Sequence, residues 1–354
     1  LKRPELTDLI ICGIQQIGIG NTDVQATWEW YRKNLGMDLP VFDEAAEAAL
    51  MLPYTGGEPR SRHAILALNM MGGGGAEIWQ YTSRTGQKPD QEIKAGDLGL
   101  YMAKFKSPDV FKSHEQLSQN NITSEISKDP YSRNHFYTQD PDGNFIEIIE
   151  SDSWFKKNIS HSGGVAGAVI GVSEMEKSIA FYRDILGYDK VVYDVVSGME
   201  NPSFIRAEGK YRRVLLQHSQ PRQGPFSRLF GDSEIELIQA LDRTPFKIFQ
   251  DRMWGDVGFI HLCFDIVGMA ALRGRCLAHK CPFTVDSGDF DMGEAAGQFA
   301  YIEDPDGTLI EFVETHKVPI MKKIGWFLDL RKRSATKPLP NFMLTAMGWG
   351  RVKD

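Results

Sequence analysis

The stretch DPDGNFIEIIE at residues 140–150 recurs as DPDGTLIEFVE at residues 304–314. Asp-Pro-Asp-Gly is turn chemistry: proline presets φ at the second position and glycine supplies positive φ at the fourth. The flanking segments, HFYTQ/NFIEII in one copy and QFAYIE/TLIEFV in the other, then predict a β-hairpin in each. Upstream of each copy lies a second repeated phrase, WEWYRKNLGMD (28–38) and IAFYRDILGYD (179–189). The hairpin phrases are offset by 164 residues and the upstream phrases by 151, so the chain is a tandem duplication with one modest insertion. A fixed repeat means that one supersecondary unit was copied and packs against its copy.

Each half divides again, giving four modules that read as strand, helix, then a run of strands. In the first, IQQIGIG (14–20) is a strand and residues 24–35 an amphipathic helix stopped by Gly36, with strands around 50–55, 62–69 and 76–81. In the third, VAGAVIGV (165–172) is the strand and residues 178–186 the helix, stopped by Gly187. Glycine directly after the last apolar helical residue is a C-terminal stop. The second and fourth modules open with LGLYMAKF (98–105) and VGFIHLCF (257–264) and close with the DPDG phrase. The glycine run at 72–75 sits between two strands, whereas a phosphate-cradling loop needs a strand before it and a helix after it. It therefore reads as a loose hairpin.

A length of 354 residues predicts about two domains. We place them at 1–157 (modules one and two) and 158–318 (modules three and four), with an extension at 319–354. Hydrophobic residues make up 42% and charged residues 25%, enough apolar content for a real core. No apolar run reaches the roughly 18 residues that a membrane span requires. A charged-then-apolar leader is also lacking, so the expected setting is the cytoplasm. Cys12, Cys263, Cys276 and Cys281 are too irregular for a disulfide framework. Cys276 and Cys281 have no second pair or histidine cluster to complete a metal site, and all four read as buried thiols in a reducing compartment. The net charge of −7 is uneven: from His316 onward there are nine Lys/Arg against two Asp/Glu, and the remainder carries 31 against 45. An acidic body excludes general nucleic-acid binding.

The paired phrases FYRDILGYD and DPDGxxIE resemble those of the vicinal oxygen chelate superfamily: glyoxalase I, methylmalonyl-CoA epimerase, extradiol dioxygenases and bleomycin-resistance proteins. The resemblance spans about residues 10–315. It implies an α+β, glyoxalase-like fold in which four βαβββ modules pair into two cup-shaped mixed sheets around a metal, here with a basic C-terminal helical extension. In such families each module offers a ligand from the middle of its first strand and another from its last. The matching positions are Gln16 and Glu77 in module one, Met102 and Glu147 in module two, Gly167 and Glu236 in module three, and His261 and Glu311 in module four. Methionine is a poor ligand for a hard or borderline metal and glycine offers no side chain. Modules one and four thus hold the complete set Gln16, Glu77, His261 and Glu311, similar to that of zinc-using glyoxalase I. This favours pairing one with four, against the alternative of one with two and three with four, and leaves two and three as a degenerate second cup.

Strand alternation turns the glutamate of FIEII or LIEFV to one face with its i±2 neighbours, and a buried unpaired carboxylate is costly. Lys104 shares the face of Met102, so an ion pair between Lys104 and the glutamates of the second cup is expected. Tyr31 and Tyr182 repeat on the helices and read as core. The remaining histidines, His63, His114, His135, His161, His218, His279 and His316, show no ligand spacing and read as solvated or supporting.

The resemblance implies a divalent metal: zinc first, with nickel, cobalt, manganese and iron(II) open. As a Lewis acid it stabilises the enediolate left when a carbon acid loses its proton, and a ligand glutamate shuttles that proton. Glu311 is the first choice of base and Glu77 the second. The expected activity is that of a lyase, isomerase or epimerase acting on a small hydroxy-carbonyl compound. The glutathione grip of glyoxalase I is missing, because its arginine and asparagine positions hold Gly20 and Tyr81. An iron(II) extradiol dioxygenase and a non-catalytic binder of the bleomycin-resistance type are the alternatives. In the tail, Ile320, Ile324, Phe327 and Leu328 form an apolar face ringed by Lys322, Lys323, Arg331, Lys332 and Arg333. It reads as an appended helix covering one sheet, or as a patch for an anionic substrate or membrane surface.

Overall fold

The two repeated phrases meet in space, and their meeting explains why both are kept. The computed structural model describes residues 8–157, 159–291, 296–321 and 325–352. Module one comprises β1 (Ile10–Gly20), α1 (Val24–Leu35), β2 (Leu39–Glu47), β3 (Ser61–Leu68) and β4 (Gly75–Tyr81). Module two comprises β5 (Gly99–Ser107), α2 (Val110–Leu117), β6 (Ser127–Lys128), β7 (Asn134–Gln139) and β8 (Phe145–Glu150). The Tyr31 hydroxyl of α1 donates to Asp140 Oδ2 at 3.0 Å, at the head of the DPDG turn between β7 and β8. Asp140 Oδ1 accepts from the amides of Asp142 (3.0 Å) and Asn144 (2.9 Å), and Gly143 takes φ 86°. The second half repeats this, with Tyr182 donating to Asp304 Oδ2 at 3.0 Å and Gly307 at φ 91°. Burial pushes both aspartates up to about 6.

Module three comprises β9 (Val165–Gly171), α3 (Met175–Leu186), β10 (Lys190–Ser197), β11 (Tyr211–Gln217), the short α4 (Ser227–Phe230) and β12 (Glu234–Ala240). Module four comprises β13 (Gly258–Val267), α5 (Met269–Ala278), β14 (Val285–Asp286), β15 (Phe290–Asp291), β16 (Ala296–Glu303) and β17 (Leu309–Met321). The tail adds β18 (Trp326–Asp329) and α6 (Asn341–Met347). Helix α1 starts where the Asp23 side chain caps the Ala26 amide and stops at Gly36 in the left-handed region (φ 64°).

Each sheet takes one module from each half. The first runs β14-β16-β17-β13-β1-β4-β3-β2, with β15 on β16 and β18 on β17. The second runs β10-β11-β12-β9-β5-β8-β7-β6. The antiparallel seams are therefore β1/β13 and β5/β9, pairing module one with four and two with three. The backs of both sheets, through Ile17, Phe105, Ile170 and Phe264, join one buried cluster with Tyr31 and Tyr182 of the helices. The glycine run between β3 and β4 fastens the sheets together: Gly74 exchanges two backbone hydrogen bonds of 2.8 Å with Val165.

Two sequence expectations change. The strand expected at 50–55 is a 3-10 turn (Leu52–Tyr54), because Pro53 lacks the amide a ladder needs. The strand in its place is β2, an edge strand whose acidic, partly exposed residues hide its period. In the tail, Phe327 and Leu328 lie on β18 rather than on a helix; Lys322, Lys323 and Ile324 fall outside the described residues. The helix comes later, as α6, where Leu344 and Ala346 pack with Leu39, Leu68 and Val318 over the end of the first sheet. Arg351 then pairs with Asp38 at 2.5 Å. Among the described residues no helix is long and apolar enough to cross a membrane, and the four cysteines are unbonded.

Candidate metal centre

Four neighbouring strands, β17, β13, β1 and β4, carry one chemical group each into the first cup. They are Glu311, His261, Gln16 and Glu77. Register brings them together: Gly18 of β1 lies opposite His261 on one side and beside Glu77 on the other, while Cys263 lies opposite Gln16 and beside Glu311. Gly18 is indispensable to this arrangement. A Cβ there would stand 2.3 Å from His261 Cε1, so only glycine lets the imidazole lie across the strand. The pairing of β1 with β13 slips at Gln15, and as a result Gln15 and Gln16 line the same cavity.

A ligand atom from each of Glu77, His261 and Glu311 lies within 4.8 Å of the others. His261 Nε2 stands 2.9 Å from Glu311 Oε2 and 3.2 Å from Glu77 Oε2. His261 Nδ1, His261 Nε2 and Glu311 Oε2 are buried without a hydrogen-bond partner, Nε2 standing only in ion-pair contact with the two carboxylates. Gln16 Nε2 donates to Glu77 Oε2 at 2.9 Å, which leaves Gln16 Oε1 without a partner as well. Buried polar atoms almost always have partners. Three donor-bearing side chains converging within 4.8 Å, with Gln16 hydrogen-bonded to one of them and these atoms orphaned, fit a divalent cation.

The electrostatics agree. Burial alone would lower His261, but Glu311 and Glu77 raise it to about 9, so the two carboxylates draw positive charge to this point. Burial alone would raise Glu77; His261, Arg62 and the Gln16 amide outweigh it and hold the carboxyl below its ordinary value. Tyr301, whose strand places it opposite Glu311, is held well above the ordinary phenol range by burial and the two carboxylates, so it stays neutral. The cup opens into a cavity of about 680 Å³ lined by Gln16, Glu77, Trp79, Trp254, Tyr301 and Glu311 among others. Sequence reasoning missed Gly18, Trp254 and Tyr301. Gly18 could have been found from its place two residues after Gln16, on the same strand face.

The positions expected for a glutathione grip are occupied otherwise. A Cβ at Gly20 would meet Asp256 O at 1.9 Å, so no side chain fits there. Tyr81 donates to the carbonyl of Trp254 and packs edge-on against Trp79.

The second cup gathers Met102, Glu147 and Glu236 with Lys104, and Gly167 lies opposite Lys104. The expected ion pair is present. Lys104 Nζ reaches Glu236 at 2.8 Å and both Glu147 and Glu234 at 3.2 Å. Arg213 binds Glu236 at 2.8 Å, and Arg133 binds Glu234 at 2.8 Å. His135 is not solvated: it is fully buried, with Nδ1 2.7 Å from Glu147. Its signal was the alternation in NHFYTQ, which puts His135 on the face of Tyr137, the residue opposite Glu147.

A family model described as the glyoxalase/bleomycin resistance protein/dioxygenase superfamily matches residues 13–148 and 164–312. No curated protein matches the chain in sequence. Glyoxalase I from Zea mays is similar in structure, with a TM-score of 0.54 at 15% identity over 85% of this chain and 92% of its own. A Bacillus subtilis subsp. subtilis str. 168 protein named a putative dioxygenase gives a TM-score of 0.56 at 14% identity over 97% of each chain. With both halves matched and the paired-cup fold in place, the chain belongs to the glyoxalase/bleomycin resistance protein/dioxygenase superfamily.

Proposed function

We propose that the first cup is a divalent metal site held by Gln16, Glu77, His261 and Glu311, and that the chain is a metal-dependent lyase, isomerase or epimerase for hydroxy-carbonyl compounds. The observation that carries this reading is the convergence of Glu77, His261 and Glu311 within 4.8 Å, with the His261 nitrogens and Glu311 Oε2 buried and without hydrogen-bond partners. A divalent ion held there by these residues, zinc foremost, would supply Lewis acidity to a bound hydroxy-carbonyl compound.

The chain's own groups divide the remaining work. Gln16 ties down Glu77 through its amide, so Glu77 is the fixed carboxylate. Glu311 Oε2 accepts no hydrogen bond of that kind, although it stands 2.9 Å from His261 Nε2, and Glu311 is our choice of base for the proton on the carbon beside the carbonyl. Returned to the neighbouring carbon, that proton completes an isomerisation; returned to the opposite face, an epimerisation. Neutral Tyr301 beside Glu311 keeps a second negative charge away from the base. The iron(II) dioxygenase alternative calls for two histidines and a carboxylate, whereas the cluster here has one histidine and two carboxylates. The test is solvent-deuterium incorporation, followed by NMR, into hydroxy-ketones and hydroxy-aldehydes incubated with zinc-loaded protein. Exchange that requires both zinc and Glu311 is expected; oxygen uptake on catechols without exchange would overturn the reading.

A further inference from the structure

The C-terminus of α5 brings two of the four cysteines together by the path of its backbone. Lys280 takes the left-handed conformation (φ 59°), and its amide donates to the Leu277 carbonyl at 3.2 Å. The Cys281 amide donates to the Cys276 carbonyl at 3.0 Å. These two bonds define the helix stop in which the residue just past the left-handed position lies against a residue of the last turn. An apolar contact commonly fills those two places, and here both are cysteine. Pro282 narrows the backbone of Cys281 to extended conformations, and the Thr284 amide ties the following segment to the Tyr301 carbonyl at 2.8 Å. Cys281 is thus fixed from both sides. Its thiol turns back over the helix end, 3.5 Å from the Cys276 carbonyl oxygen.

The pair is also graded in exposure. Cys276 is fully buried in the cluster behind the two sheets, and Cys281 packs against that cluster with part of its surface in solvent. Cys12 and Cys263 are fully buried, so a water-borne reagent meets Cys281 first. Charge follows the same order. The hydrogen bond that Cys276 donates to the Cys281 sulfur lowers Cys281 below the ordinary thiol value and raises Cys276 above it. Negative charge therefore settles on the exposed sulfur, while the buried one keeps its proton. Oxidation of a dithiol needs this division, because the thiolate is the attacking form and a neighbouring thiol must then close the bond.

We propose that Cys276 and Cys281 are a redox dithiol, which a hydroperoxide converts into an intramolecular disulfide across the end of α5. The Cys281 thiolate attacks one peroxide oxygen, the O–O bond breaks, and the departing hydroxide or alkoxide takes a proton from solvent. Cys281 is then a sulfenic acid, and the peroxide has been reduced by two electrons. The Cys276 thiol attacks the Cys281 sulfur, the S–S bond forms, and the sulfenic oxygen leaves as water with the Cys276 proton. A dithiol reductant reverses the change by thiol–disulfide exchange. The inference stands apart from the metal reading of the first cup, since neither cysteine is among its donors.

The test is peptide mapping of the full-length protein after brief treatment with hydrogen peroxide, alkylation in denaturant and tryptic digestion without reductant. Trypsin cuts after Lys280, so the two cysteines fall in separate peptides unless a disulfide joins them. The wild type should lose two of its four thiols, yield the joined peptides, and regain both thiols in dithiothreitol. Cys276→Ser should stop at the Cys281 sulfenic acid, trapped with dimedone, and Cys281→Ser should keep all its remaining thiols over the same time. Recovery of both cysteines as free thiols in treated wild type would overturn the inference. So would a Cys281 sulfenic or sulfinic acid with no link to Cys276, or faster oxidation of Cys12 or Cys263.

Discussion

Cup one and cup two descend from the same repeat, yet they meet the problem of buried glutamates in opposite ways. Glu77 and Glu311 in the first stand where Glu236 and Glu147 stand in the second, at matching register positions on matching strands. In the second cup the cation comes from the chain. Lys104 sits beside Glu147 as Cys263 sits beside Glu311, and Arg213 and Arg133 complete the balance. Burial alone would strip Lys104 of its proton, but Glu147, Glu236 and Glu234 hold it well above the ordinary lysine range. In the first cup no lysine or arginine reaches Glu77 or Glu311 within 4.0 Å among the described residues, and only the imidazole of His261 stands between them. One cup is sealed by its own charges; in the other, the proposed metal would supply the balancing cation.

The sharpest break in this comparison is at the base. Glu311→Gln should keep the metal and lower the rate of proton exchange by about 100- to 10,000-fold, measured by NMR in deuterium oxide. Full activity in that variant would return the base role to Glu77. The second cup is the next target. Lys104→Met leaves three buried carboxylates short of a cation and should cost about 3–5 kcal/mol in urea unfolding, with metal content unchanged. A smaller loss is expected at the strand beneath the imidazole. Gly18→Ala drives a methyl into His261 and should weaken zinc binding by about 10- to 100-fold, read by competition with a chelating dye.

The mildest test is pH, and here the cups pull in opposite directions. In protein stripped of metal, His261 is raised from 6.5 to about 9. Its contribution to stability is complete below pH 6.5 and is lost as the pH rises through 9. Burial would raise Glu147, but Lys104 and His135 lower it from 4.5 to about 2. That contribution is complete above pH 4.5 and fades as the pH falls toward 2. Thermal melts across this range should show the alkaline limb in the stripped wild type and lose it in His261→Ala, while the acid limb persists in both.

Much of this was legible in the sequence because the informative residues are local. The DPDG turn, the glycine stops and strand alternation act within a few residues, and the ligand positions implied by the family resemblance favoured the pairing of one with four over the alternative. What escaped depends on partners far along the chain. Arg133 and Glu234 are 101 residues apart and meet through the register of the second sheet. The role of Gly18 shows only once β13 is laid against β1. The edge strand β2 and the tail were misplaced for a different reason: their period is masked by exposed charge, and the place of α6 depends on the sheet end it covers.

On the proposed reading the first cup takes one divalent ion and the second takes none. Elemental analysis of zinc-loaded protein after exhaustive dialysis tests it directly, on the wild type, His261→Ala and Lys104→Met. One divalent ion per chain is predicted for the wild type and for Lys104→Met, and none for His261→Ala. An ion retained by His261→Ala, or none in the wild type, would contradict the account.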